Sequence, residues 1–487
     1  MNEFPDWLSP VLVKELRQGL RTKGFVVTFL LLQCFFVVLM LFSVLQYSAG
    51  VSGNFNVSTV SGFFWTLVAI YLLAITPGRA MGVIHSEVES GTLELLTLTR
   101  LTSWKIAEGK WISLVFQNVL VIISILPYGV LRYFFGGVNL MQDFAMLAML
   151  IVASFVITAV AIGISGFAKW LRITLIIAYS IGGLIFFVGY LSSTMMGAGS
   201  AWPSLIHWVA SIWDAAFLVV FGLSLAAGAI AAPVENYALT RRLICIAFLI
   251  PALALPFLLM DLEEAVIYWM IAALIWGIVL IQGLCSGVND FYIQRHAFRP
   301  GGKFRSFGPW LGSFFYPTWP SGVRFSVVSV FLWSILLLCV ILYEGEPSYD
   351  ELMLYASMSF LAISFLLTPL SLILLVGWPK NEGRWIAYLT LHVLFWLLAI
   401  FAYLIENIIE VEAIYAVLLI IPPSYFWTVI MQYHDNFWLV WISAIIGLLI
   451  NMAVIYLKSR PYWTRVRTEF RLAETPEPPP INPIEHE

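Results

Sequence analysis

The 487-residue chain is 61% hydrophobic and 11% charged, with a formal net charge of -3. Soluble domains carry about 25% charged residues, so this composition excludes a water-soluble globular protein and implies an all-α polytopic membrane protein. Cys34, Cys245, Cys285 and Cys339 stand far apart in or beside apolar runs, which predicts neither a zinc site nor a disulfide framework. The near-balanced charge gives no reason to expect a nucleic-acid partner.

The chain begins MNEFPDWLSPVLVKELRQGLRTKGF, without the short apolar core and small-residue cleavage site of a signal peptide, so the first span is expected to be retained. Leu8, Leu12, Leu16 and Leu20 recur every four residues, while Lys14, Arg17, Gln18 and Arg21 fall largely on other faces. Ser9 and Pro10 suit an N-cap and a first turn. Residues 1–24 are therefore expected to form an amphipathic helix in the inner interface, its basic side toward anionic lipid heads.

Crossing about 30 Å of hydrocarbon takes about 20 apolar residues. Runs of that kind predict twelve spans, near 25–46, 62–80, 111–131, 144–168, 172–195, 208–232, 243–260, 265–286, 325–343, 352–376, 385–405 and 437–457. A further apolar stretch at 413–433 is split by Pro422 and Pro423, which leave two pieces too short to cross. With twelve spans and a cytoplasmic N-terminus, every Lys and Arg except Arg132 lies inside, whereas a thirteenth span would move the last five basic residues outside. Residues 413–433 are accordingly expected to form an outer re-entrant or interfacial hairpin, and both termini to be cytoplasmic, in the plasma (cytoplasmic) membrane. The region 458–487 reads as a basic stretch followed by a Pro- and Glu-rich disordered tail, RLAETPEPPPINPIEHE.

Between the second and third spans lies HSEVESGTLELLTLTRLTSWKIAEGK, residues 85–110. Gly91 permits a break after the helix carrying Glu87 and Glu89, and Thr92 can cap a short helix, TLELLTLT. Leu93, Leu95 and Leu96 give it an apolar side and Glu94 a polar one, a pattern suited to a groove on a soluble partner.

The order of KELRQGLRTK, two spans, and then EVESGTLELLTLTRLT with IAEGK before the third span resembles the permease subunits of ABC-2 type transporters. The resemblance covers about residues 5–232 and implies a six-span core at 25–232. It assigns an interfacial elbow helix to Lys14, Glu15, Arg17 and Arg21. It assigns the contact with the ATPase to Glu87, Gly91, Thr92, Leu93, Glu94, Leu95 and Leu96, with Lys110 as the basic end of the loop. It also implies a separate ABC ATPase that binds ATP and Mg, and a dimer with itself or a related permease. Spans seven to twelve, residues 233–457, form an extension that departs from the six-span plan and lacks a second GTLELL segment or any internal sequence repeat. The basic, aromatic loop before the ninth span reads as a positive-inside loop or as a second elbow at the ATPase side.

No G-x-x-x-x-G-K-[ST] is present; RPGGKF at 299–304 has the wrong spacing and no following Ser or Thr. H-E-x-x-H and G-x-S-x-G are absent too. No enzymatic role and no directly bound cofactor are expected of this chain. Ionisable residues within spans mark ion relays, and only Asp214 and His392 qualify, each with a structural role as the plainer reading. Gln117, Asn118 and Asn451 are candidate pathway groups, interhelical hydrogen bonding being the alternative. The sequence thus predicts an ATP-driven export permease of unidentified cargo; the alternatives are an ion-coupled secondary transporter and a non-transporting membrane scaffold.

Overall fold

The computed structural model describes residues 10–48, 57–89, 102–134, 140–167, 172, 205–231, 237–259, 276–286, 310, 312–344, 349–377, 382–409 and 437–474. The chain is an all-α, multi-spanning membrane protein. Among the described residues six helical stretches are long and apolar enough to cross a membrane: Lys23–Leu45, Val60–Ser86, Ser103–Phe134, Asp143–Ile164, Ile212–Ile230 and Trp319–Leu336. The chain divides into two compact units, Met1–Ala232 and Pro233–Glu487.

Unit 1 starts with helix α1 (Pro10–Arg21) and a break at Thr22 before α2 (Lys23–Ser48). Pro10 is the first helical residue, a position that costs no backbone hydrogen bond. Leu12 is buried, Leu16 and Leu20 are half-buried, and Lys14, Arg17 and Arg21 are exposed, so the four-residue leucine stripe faces inward. The Thr22 hydroxyl donates to the Gly19 carbonyl at 2.7 Å and accepts from the Phe25 amide, closing one helix and opening the next.

The second span is α3 (Val57–Ile70), a π-helical turn (Tyr71–Ile75) and α4 (Thr76–Ala80). Pro77 lacks an amide hydrogen and its ring would strike the carbonyl four residues back; the wider turn relieves that clash, and the Thr76 hydroxyl covers the Tyr71 carbonyl at 3.2 Å. Helix α5 (Val83–Glu89) follows, then α6 (Ser103–Phe134), α7 (Leu140–Ile164) and α8 (Leu205–Ile230). The core of unit 1 gathers Phe36, Phe64, Val68, Leu72, Val121 and Leu150 from five of these segments. Helices α7 and α8 form its largest interface because small residues let the backbones meet: a Cβ at Gly163 would lie 2.6 Å from the Gly222 carbonyl oxygen, and one at Gly222 would lie 2.7 Å from Ala159 backbone atoms.

Unit 2 contains α9 (Tyr237–Leu259), a helical stretch at 276–284, α10 (Trp319–Glu344), α11 (Tyr349–Val376), α12 (Glu382–Ile409) and α13 (Phe437–Glu474). Gly283 and Gly322 bring the 276–284 stretch and α10 into backbone contact. At Gly377 the chain leaves α11 with φ of 74°, a left-handed conformation that glycine adopts without strain.

The structure moves several expected boundaries. Helix α6 begins at Ser103, eight residues ahead of the predicted third span, because Thr102 caps it: its hydroxyl accepts from the Lys105 amide and its carbonyl from the Ile106 amide. Lys110 is therefore two turns inside a helix instead of ending a loop. Helix α10 likewise starts six residues early and takes in Arg324. Helix α12 continues to Ile409, through part of the expected outer loop. The last helix does not stop at 457, and 471–474 are not disordered: α13 runs through Pro461 to Glu474, held by packing onto the turn before α10. The predicted span 172–195, apart from Arg172, and the hairpin 413–433 lie outside the described residues.

Candidate functional site

The contact assigned to Gly91, Thr92, Leu93, Glu94, Leu95 and Leu96 lies outside the described residues, whereas the two helices flanking it are described. Glu87 lies on α5, which leads into the segment, and α6 leads out of it. What the structure details is how the foot of α6 is held.

Lys110 is 3% exposed and its Nζ lies 3.3 Å from Glu15 Oε1 on α1. Two turns further along, Gln117 Oε1 accepts from Arg79 Nη2 of α4 at 2.8 Å, and the Gln117 carboxamide lies flush against Gly19 of α1, where any Cβ would collide with it. Asn118 donates to Ser154 of α7 at 2.7 Å, and Trp111 donates to the Phe155 carbonyl at 3.1 Å. Beyond these, Gln33 of α2 donates to Ser124 at 2.7 Å. At the far end Arg132 pairs with Asp143 of α7, which also accepts from Trp65 at 3.1 Å, while the guanidinium covers the Phe64 ring at 4.5 Å.

From Lys110 to Arg132 is about 33 Å of helix at about 1.5 Å per residue, close to the hydrocarbon thickness. Polar groups in that environment need partners, and α6 finds them on α1, α2, α4 and α7. Helix α6 is thus a polar spine tied along its length to four neighbouring segments. Of the four residues that the resemblance assigns to an elbow, Glu15 makes one of these ties, while Lys14, Arg17 and Arg21 stay on the exposed side of α1.

The remaining candidates are dispersed. Asp214 lies buried in α8. His392 of α12 is buried with its ring 4.5 Å from that of Phe365 and 4.7 Å from that of Tyr388. Asn451 of α13 reaches three hydroxyls on α11: it accepts from Ser371 at 2.6 Å and donates to Thr368 at 2.9 Å and Ser364 at 3.3 Å. Among the described residues, Gln117, Asn118 and Asn451 all spend their amide groups on interhelical bonds. No group of three or more His, Cys, Asp or Glu suited to a metal occurs among them.

Sequence reasoning missed Gln33, Arg79, Asp143 and Ser154. Each is a polar residue at or inside an apolar run, and that placement was the available signal. It also missed a compact turn at 312–318 in unit 2. There Arg242, 4% exposed, donates to the carbonyls of Phe314 at 2.5 Å and Tyr316 at 2.9 Å. Helix α13 closes over this turn through Tyr462, whose hydroxyl is 3.0 Å from Thr318 Oγ1, and through Trp463, over which Arg324 lies at 3.6 Å. Burial pushes the Tyr462 hydroxyl above its ordinary pKa, so it stays a neutral hydrogen-bonding group. No family model, no curated protein and no solved structure matches the chain.

Proposed function

We propose that this protein is the membrane permease of an ATP-driven transporter of the ABC-2 type, exporting its cargo with energy from a separate ATPase that docks on the segment around Glu94. The observation that carries the reading is the buried Lys110–Glu15 tie at the foot of α6. The docking segment feeds directly into a helix bonded to α1, α2, α4 and α7, so force applied there would move a packed group of helices instead of dissipating in a loose loop. ATP-dependent closure of the ATPase would bias that group between two arrangements, and the bias equals the difference in partner affinity for them. ATP and Mg would reside on the ATPase; this chain would contribute the docking segment, the lever and the pathway walls. The cytoplasmic face carries the docking segment in this reading, with both termini on the same side.

Copurification from the native membrane tests it. Wild-type protein in mild detergent should bring down a nucleotide-binding ATPase, and Glu94→Arg should lose most of it while inserting normally. A folded wild-type protein that brings none would remove the reading.

A further inference from the structure

In unit 1 the two cations at the ends of α6 meet carboxylates, Lys110 with Glu15 and Arg132 with Asp143. Where α13 of unit 2 runs on past its apolar stretch, three arginines go without. Among the described residues Arg324, Arg460 and Arg467 are exposed and make neither an ion pair nor a side-chain hydrogen bond.

Arg324 is nevertheless held in one pose. Its guanidinium lies 3.6 Å over the centre of the Trp463 ring. The bond between Tyr462 and Thr318, and Val466 packed on Tyr316, fix α13 beside it. A stacked guanidinium keeps its plane while its N–H donors point outward from the rim, ready for an acceptor. Arg467 lies close enough for the two positive charges to repel each other, and Arg460 stands about two turns before Arg467 on the same side of the helix. An anion placed here removes that repulsion and takes up the unspent donors, and a planar fork of this kind matches phosphate oxygens in pairs.

The rest of the same helix side identifies the anion. Leu449 (63% exposed), Tyr456 (67% exposed), Arg460 and Arg467 follow at intervals of seven, four and seven residues, which keeps them on one side of an α-helix. That side runs from bare aliphatic surface, through a tyrosine of the kind that sits at headgroup level, to guanidiniums. A phospholipid has the same order of chain, interface and phosphate.

We propose that this side of α13, together with Arg324, is a binding site for a phospholipid with an anionic headgroup. Its phosphate sits on Arg324, Arg460 and Arg467, and an acyl chain lies along Tyr456 and Leu449. The other basic pair of the helix, Lys458 and Arg465, is also exposed but falls on the opposite side, away from the Trp463 stack. It supplies a control of equal charge.

Native mass spectrometry of the full chain in neutral detergent, offered equal amounts of phosphatidylglycerol and phosphatidylcholine, tests the site. Wild type should retain phosphatidylglycerol over phosphatidylcholine by about tenfold or more, since each basic group near an anionic headgroup is worth a several-fold gain. Arg460→Gln combined with Arg467→Gln should bring the ratio close to parity. Lys458→Gln combined with Arg465→Gln removes the same charge and should leave the ratio unchanged. An unchanged ratio in the first double variant, or an equal loss in both, would overturn the site, the latter outcome showing diffuse attraction to a basic helix only. Wild-type indifference between the two lipids would overturn it without recourse to any variant. Glycerol phosphate, the headgroup without its chains, should fail to displace the lipid; displacement at equal concentration would assign the arginines to a soluble anion and overturn the lipid site.

Discussion

Lys110 on α6 and Glu15 on α1, 95 positions apart, meet at 3.3 Å with the lysine side chain 2% and the glutamate side chain 18% exposed. A pair so placed fixes α1 to the foot of α6. Removing one partner of a buried pair costs about 3 to 5 kcal/mol, and the partly exposed Glu15 brings this to the lower end. Lys110→Met should therefore lower the melting temperature in detergent, and Glu15→Leu combined with Lys110→Met should recover most of the loss. Additive losses in thermal melts would show that the two residues do not act as a pair.

Glycine substitutions separate packing from composition. Gly222→Val should destabilise by about 3 kcal/mol or more, at the upper end of overpacking effects, because the new atoms meet the α7 backbone at Ala159 and Val160. Gly62→Ala and Gly129→Ala meet nothing within 4 Å, so they should melt within a degree or two of wild type. Equal effects at all three positions would contradict the close α7–α8 approach.

Asn451→Leu should cost about 1 to 2 kcal/mol, since it removes three interhelical bonds worth on average about 0.6 kcal/mol each in membranes. Among its partners Ser371→Ala should cost more than Ser364→Ala, since the former bond is 2.6 Å and the latter 3.3 Å. Thermal melts of the three variants give the order directly.

Trp463→Ala should loosen the end of α13. The Arg324 stack over this ring is worth about 0.5 to 2 kcal/mol, and the exposed Arg465 and Arg467 lie within a turn of it. Limited trypsin digestion should cut the variant at those arginines faster than wild type; equal rates would mean that the stack does not hold the helix.

The membrane class was legible because apolar runs of about 20 residues admit only one solvent. The amphipathic α1 was legible as well, since Leu12, Leu16 and Leu20 declare its buried side. Lys110 was not: a lysine next to an apolar run reads as a loop-end cation, and only its pairing with Glu15 in the folded chain marks it as buried. Asn451 was legible as an interhelical bonding group, the alternative to a pathway role, but its hydroxyl partners were not, since they lie 80 or more positions away on α11. The extension of α13 escaped notice because Lys458, Arg460 and Pro461 resemble a span ending, whereas the helix persists by packing Tyr462 and Val466 onto Tyr316.

The most direct measurement is the ATP dependence of a distance across the lever. With exposed Cys34 and Cys339 replaced by serine, spin labels at Lys105→Cys on the foot of α6 and Val220→Cys on α8, which is outside the group of helices bonded to α6, both sit at exposed positions. In the complex with its ATPase, adding ATP and Mg should shift the label-to-label distance distribution, and Glu94→Arg should abolish the shift. An unchanged distribution in a complex that hydrolyses ATP would contradict the claim that fuel consumption moves α6.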